Sequence, residues 1–385
     1  MLPLEGIKVV EIAQNLAGPH CGQILGALGA EVIKIERPGG GDDARAWGPP
    51  FDKGMGAGFH AVNQNKLSVT CDMTCAEDMQ RLLDLIATSD VLVHNMRPGV
   101  MEGASLDAET LTARFPRLIY GAISGFGAAG PLRERPGYDA VVQALAGFFY
   151  LNGGQEDPPT RIGPTVLDMG TGVWMALGIL AKLRQRDATG KGGVVEASLL
   201  ETALGYISPL TAVTSLTGKS PTRVRSGTAL VVPFETFPTQ DGDIIVAGAN
   251  DRLFGKFADV LGHPEWRQDA KYATNADRQA NKAELVEKIA AIMKTQPNAY
   301  WLERLEAQAI PCSQINTLPQ ALEHPQMQAL GILDTDPDSG LLLTKMPFSL
   351  DGARPLTRSQ APALGEHNQD VAPFDAASQG QIDRA

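Results

Sequence analysis

Short runs of β-branched and apolar residues alternate with helical patterns through the first half of the chain, and this alternation limits the fold more than any other feature. Residues 7–12 (Ile-Lys-Val-Val-Glu-Ile) read as a strand, 17–28 as a helix rich in small residues, and 31–35 (Glu-Val-Ile-Lys-Ile) as a second strand. The order repeats, with strands at 67–71, 91–94 and 118–123 and helices at 76–88 and 106–115. Strand, crossover helix and strand pack back as a parallel, right-handed unit. Several units in series predict an α/β fold with a doubly wound parallel sheet, whose ligands lie off the carboxyl ends of the strands.

The pattern continues with a helix at 173–186 ending in Lys182, Arg184 and Arg186, a strand at 194–197 and a helix at 198–216. Residues 217–227 are Gly-, Pro- and Ser-containing, basic and without periodicity, which marks a linker. We therefore expect a large Rossmann-like domain over 1–216, a linker over 217–232 and a smaller α+β domain over 233–318. Residues 319–385 then form a return linker and C-terminal segment that packs on the large domain. Strands at 234–237 and 244–247 and helices at 252–261, 283–294 and 299–307 furnish the smaller domain.

A net charge of -11 argues against general affinity for nucleic acid or an anionic membrane, so an anionic ligand must be held by local Arg, Lys or helix N-termini. The N-terminus lacks a basic region followed by an apolar core, and the longest helix-like apolar run, 173–181, is too short to span a bilayer. Cys21, Cys71, Cys75 and Cys312 have neither zinc nor disulfide-framework spacing, and His20, His60, His94, His263, His324 and His367 include no metal-ligand pair. A reduced, cytoplasmic protein without a metal is expected. The turn after the first strand lacks G-x-G-x-x-G, and Gly39-Gly-Gly41 is followed by two acids, so neither a dinucleotide nor a Walker-type phosphate cradle is present.

Asp168 is the only acid between Asp157 and Asp187, with small, uncharged neighbours before a helical pattern. Read locally, such a residue is a helix N-cap. The same carboxylate, kept ionised by a helix terminus, could also serve as a nucleophile.

The blocks Leu4-Glu-Gly-Ile-Lys-Val-Val-Glu11, Leu16-Ala-Gly-Pro19, Leu28-Gly-Ala-Glu-Val-Ile-Lys-Ile-Glu-Arg-Pro-Gly-Gly-Gly-Asp42, Asn95-Met-Arg-Pro-Gly99, Ile123-Ser-Gly-Phe-Gly127, Arg135-Pro-Gly-Tyr-Asp139, Asp168-Met-Gly-Thr-Gly172, Thr189-Gly-Lys-Gly192, Ser198-Leu-Leu-Glu-Thr202 and Gly248-Ala-Asn-Asp-Arg252 occur in order over about 250 residues. Together they resemble the family III CoA-transferases, which include formyl-CoA and carnitine CoA-transferases. The resemblance implies an interlocked homodimer with acyl-CoA and a small carboxylic acid as substrates and no permanently bound cofactor. It implies that Asp168 attacks the donor thioester and carries first an acyl anhydride, then a CoA thioester. Asn15, Leu16, Ala17, Arg37, Cys71, Thr74, Asn95, Met96, Arg97 and Tyr138 match binding positions of the family. Gly103 and Pro136 replace an arginine and a lysine found in some members, which leaves the phosphates to Arg97, Arg133 or Arg135. Leu16 replaces a glutamine of the formyl-CoA transferases, which counts against oxalate as acceptor. The same fold serves α-methylacyl-CoA racemases, which show a histidine where this chain has Tyr138. Tyrosine, with a reference pKa of about 10, is a poor second base. A non-catalytic CoA-binding module is a further alternative.

Overall fold

The computed structural model describes residues 2–228, 230–248 and 250–374. Ala229 of the expected linker, Ala249 of the Gly248–Arg252 block and the last eleven residues of the expected C-terminal segment lie outside them. The chain divides into two compact units, one of residues 1–146, 162–212 and 328–385, the other of residues 147–161 and 213–327.

In the first unit the chain lays down β1 (Lys8–Ile12), α1 (Ala17–Ala27), β2 (Glu31–Glu36), a hairpin of β3 (Phe51–Asp52) and β4 (Met55–Gly56), α2 (Ala57–Asn63), β5 (Lys66–Thr70) and α3 (Ala76–Ala87). There follow β6 (Val91–His94), α4 (Val100–Gly103), α5 (Ala108–Arg114), β7 (Ile119–Ser124) and α6 (Asp139–Leu145). After α7 (Phe148–Leu151), which belongs to the second unit, come α8 (Val166–Thr189), β8 (Gly193–Ser198), α9 (Leu199–Tyr206) and α10 (Ser208–Thr217), whose residues from Val213 on belong to the second unit. Six strands form one parallel sheet in the order β5-β2-β1-β6-β7-β8. The strand order reverses between β1 and β6, and at such a reversal two loops diverge and leave a crevice at the carboxyl edge.

Strand interiors bury Val9, Val10, Ile33, Val69, Leu92 and Ile119, the continuous apolar runs expected of a sheet covered on both faces. The edge strand β5 is closed by the C-terminal segment: the Ser68 amide donates to His367 Nδ1, the Thr70 amide donates to Asn368 Oδ1, and Asn368 Nδ2 returns a bond to Thr70 Oγ1.

Charge is also buried here. Glu11, Lys34, Lys66 and Asp42 are all essentially inaccessible to solvent. Glu11 bridges the two lysines, at 3.0 Å from Lys34 Nζ and 2.8 Å from Lys66 Nζ, while Asp42 takes Lys34 at 2.9 Å. Burial alone would discharge both lysines. At Lys34 the carboxylates of Glu11, Asp42 and Glu36 overcome burial and lift the pKa above its ordinary value. At Lys66 burial wins against the shared Glu11 and draws the pKa down to about 8.

The apolar run read at 173–181 is part of a longer helix. α8 has 24 residues and is long and apolar enough, by length and composition, to cross a membrane, which corrects the expected short run. Its buried residues, including Leu167, Met175, Ile179 and Leu183, belong to the core of the first unit, where α8 packs on α1, β7, β8 and α9.

The second unit holds a three-stranded antiparallel sheet, β11-β10-β9 (Cys312–Gln314, Asp243–Ala247 and Phe234–Pro238), with α11 (Asp251–Val260), α12 (Asn275–Ala280), α13 (Lys282–Met293) and α14 (Asn298–Ala307). Phe237, Phe254, Phe257, Leu285 and Trp301 are core residues there. Arg278, fully buried, binds the Val232 and Tyr272 carbonyls, pairs with Asp251 and lies over the Phe254 ring.

Candidate active site

At the carboxyl edge of the sheet, Asn95 joins the loop after β1 to the loop after β6. Its Oδ1 accepts the Gln14 amide at 2.8 Å and its Nδ2 donates to the Gln14 carbonyl at 2.7 Å, as a neighbouring strand would. Beyond this clamp lies a cavity of about 500 Å³. Its wall includes Asn15, Leu16, Ala17, Asn95, Met96, Arg97, Tyr138 and Asp168, eight of the eleven residues singled out in the sequence. Arg37, Cys71 and Thr74 line a second cavity of about 420 Å³, and Met96 lines both.

The carboxylate of Asp168 stands in the first turn of α8, but not as its cap. The N-cap is Thr165, without a side-chain cap bond, so the local capping expectation is corrected. The amides left free at this end are taken by Asp139, whose Oδ2 accepts Leu167 N at 2.8 Å and Asp168 N at 3.4 Å. Asp139 is buried at the start of α6, and Gln143 fixes its other oxygen at 2.6 Å. A second carboxylate thus performs the capping, and the Asp168 side chain reaches the cavity wall. Asp139 stands in the quoted Arg135–Asp139 block, yet its role was hidden because its partners lie 28 and 29 positions away.

The small neighbours of Asp168 serve packing. A Cβ on Gly172 would lie 2.7 Å from the Ala17 carbonyl oxygen and 3.0 Å from His20 Cβ, so only glycine lets α8 approach the first turn of α1 this closely. At Gly170 the obstacles are the half-exposed Tyr206 side chain and, at 3.1 Å, the Thr202 methyl, with no backbone atom among them.

His94, not among the residues singled out above, also lines the main cavity. Its Nδ1 accepts the Met96 amide at 3.3 Å and its ring meets Tyr120 edge-on. Burial draws its pKa down to about 4, leaving a neutral imidazole near neutral pH. Arg133, Arg135, Trp47 and Glu196 complete much of the wall. Arg133 pairs with Glu134 at 2.8 Å, while among the described residues neither Arg97 nor Arg135 has a carboxylate partner.

In the second cavity Arg37 is half-exposed and paired with Asp43. The Thr74 hydroxyl and amide both donate to Asp72. Burial pushes the Cys71 thiol up to about 12, so it is no nucleophile at neutral pH. Among the described residues no group of three His, Cys, Asp or Glu could hold a metal ion.

The comparisons identify the family. The family model of CoA-transferase family III matches residues 4–368, and the chain belongs to that family. It is 35% identical over 366 residues to the acetyl-CoA:oxalate CoA-transferase of Acetobacter aceti, covering 94% of this chain and 93% of that protein. It is 33% identical to the succinyl-CoA:glutarate CoA-transferase of Mus musculus, covering 96% of this chain and 86% of that protein. A CAIB/BAIF family protein from Brucella suis superposes with a TM-score of 0.86 at 36% identity, covering 99% of this chain and all of that one. The enzyme class is therefore acyl-CoA:carboxylate CoA-transferase, with CoA thioesters as substrates.

Two outcomes follow. Gly172→Ala should lower kcat/KM at least about tenfold and cost about 1–3 kcal/mol, because a backbone carbonyl must move. Gly170→Ala, opposed by side chains alone, those of Tyr206 and Thr202, should cost less than Gly172→Ala; kinetics and urea unfolding of both variants check this. As for pH, the unfolded state takes up the His94 proton near 6.5 and the native state only near 4, so stability falls as pH drops through that window. Between pH 7 and 5 the parent should lose ~2 kcal/mol more than His94→Gln, read by urea unfolding at both pH values.

Proposed function

We propose that the protein moves CoA from an acyl-CoA thioester to a small carboxylic acid, with Asp168 as covalent carrier. The observation that carries the reading is a carboxylate in the first turn of α8 whose capping work is done by Asp139, standing on a cavity wall at the reversal of strand order. Asp168 attacks the donor thioester carbonyl, forming a mixed anhydride and expelling CoA thiolate. The thiolate attacks the aspartyl carbon, releasing the donor acid and leaving aspartyl-CoA thioester. The acceptor carboxylate repeats the first step on that thioester, and the thiolate then takes the acceptor acyl group and frees Asp168. No net proton moves, so no general base is required.

The remaining wall suits such a cargo. The first-turn amides of Ala17 and Gly18 have no partner within their own helix and can donate to the oxyanion of each tetrahedral intermediate. Asn15 Oδ1 is buried and, among the described residues, without a hydrogen-bond partner; a turn of its side chain toward the cavity would offer an acceptor to an amide N–H of the CoA arm. Arg97 and Arg135 supply charge for the phosphates, with Arg37 beside the adenosine end in the second cavity. The names of several relatives specify dicarboxylic acceptors: oxalate, glutarate, citramalate, malate and mesaconate. Leu16 on the wall favours an acceptor larger and less polar than oxalate. A racemase would need a second base, and on this wall Tyr138 is a phenol while His94, its pKa drawn down to about 4 by burial, is a weak one.

Incubation with a panel of acyl-CoAs, followed by hydroxylamine or borohydride quenching and peptide mass analysis, should place the adduct on Asp168. Asp168→Ala should abolish transfer. An unmodified Asp168 together with full activity in the alanine variant would sink the covalent reading, and solvent deuterium at the α-carbon without CoA exchange would favour racemisation.

We further propose an interlocked homodimer in the reducing cytoplasm, where the four free cysteines would stay reduced. Val141 and Leu145 of α6, Val173, Trp174 and Leu177 of α8, and Leu204 and Tyr206 of α9 are all exposed. An apolar surface of that extent on one unit suits burial against a second copy. Light scattering on a sizing column should give twice the 40.9 kDa chain mass, and a fully active species at the single mass would refute the dimer.

A further inference from the structure

The loop between β1 and α1 carries Asn15–Ala17 on the cavity wall, yet hardly any of its backbone bonds go to other backbone. Lys34 Nζ donates to the Ala13 carbonyl at 2.7 Å, Asn95 takes both polar groups of Gln14, and Asp42 Oδ1 accepts the Asn15 amide at 2.9 Å. Asn15 itself has φ 66°, in the left-handed region. A non-glycine residue held there costs about 1–3 kcal/mol and persists only where its surroundings dictate it.

Lys34 and Asp42 are also partners, 2.9 Å apart with both side chains inaccessible. Such a pair is a weak device for stability, since apolar residues of similar volume often do as well or better. What an apolar pair could not do is grip the Ala13 carbonyl and the Asn15 amide together. Asp42 in addition lines the second cavity, so it touches both halves of the site.

We propose that Lys34 and Asp42 are positioning residues for the transfer reaction, setting the Asn15–Ala17 wall, and with it the first turn of α1, from beneath through one buried ion pair. This rests on the reading of the cavity as the acyl-CoA site. Neither residue touches substrate at the reacting carbon.

The test compares two charge-neutral double variants of the full chain. Lys34→Met with Asp42→Leu removes the pair and both tethers. Lys34→Met with Asp42→Asn keeps an oxygen for the Asn15 amide. Succinyl-CoA with glutarate serves as probe pair, or whichever donor and acceptor turn over fastest. The Leu-containing variant should lose 10–100-fold in kcat with KM changed less than about threefold and Tm within about 5 °C, the scale expected when a reacting group is misplaced by about 1 Å. The Asn-containing variant, which keeps the Asn15 tether and lacks the Ala13 one, should recover part of that loss and no more; full recovery would remove Lys34 from the proposal. Equal activity in parent and Leu-containing variant, or equal loss in both variants, overturns the proposal. Hydrogen exchange in the unsubstituted protein decides the matter without any variant: the Asn15 amide should be strongly protected without ligand, and rapid exchange there refutes the tether. Absence of an Asp168 adduct would instead refute the functional reading, and exchange at Asn15 reads the tether regardless.

Discussion

Two lysines sharing one glutamate in a dry interior is an arrangement that nothing in the core can relax. Glu11 sits on β1, Lys34 on β2 and Lys66 on β5, so the charges lock three adjacent strands in register. Each ammonium also reaches beyond the sheet: Lys34 to the Ala13 carbonyl, and Lys66 to the Pro19 carbonyl in the first turn of α1. The start of α1 is thereby held from both sides. Removing any one charge would leave another buried and unpaired, a penalty of about 3–5 kcal/mol, which makes the cluster hard to change piecemeal.

From that anchorage the site is built outward. α1 is fixed by the ions, α8 approaches α1 through Gly172, and Asp168 stands one turn above that contact. Asp139 then takes the amides that Asp168 would otherwise be drawn to cap. On the proposed reading of Asp168 as carrier, a second acid that caps the helix leaves that end of α8 satisfied without calling on the carrier.

Much of this architecture could be read in the sequence because its cause is local. β6 is found at the bounds its apolar run suggests, and β1, β2, α1 and α3 agree within a residue or so, since alternation and helical spacing are written in consecutive residues. α8 was expected to begin at Val173 and begins at Val166, because Gly170 and Gly172 look like helix breakers until their neighbour α1 is known. The helix expected over 198–216 ends at Tyr206, and a second one starts at Ser208. β11 was missed because Cys312–Gln314 is short and polar, a strand only by virtue of pairing with β10. In the site, residue positions were legible but not their engagements. Asn95 stood out as a ligand contact, whereas its amide is committed to Gln14, 81 positions away. No local pattern records a bond of that span.

The closure of β5 by the C-terminal segment has a bearing on how the protein is born. Thr70 and Asn368 are 298 positions apart, which at ribosomal speeds of about 5–20 residues per second is roughly 15–60 seconds of synthesis. Throughout that interval the nascent chain carries an uncapped sheet margin able to recruit a strand from a neighbouring polysome. The first unit is also interrupted twice by segments of the second, so it cannot be completed as a leading domain during translation. For this chain a stretch translated long after β5 seals the margin of its largest sheet, and its loss should show itself as aggregation in the cell before any deficit in chemistry.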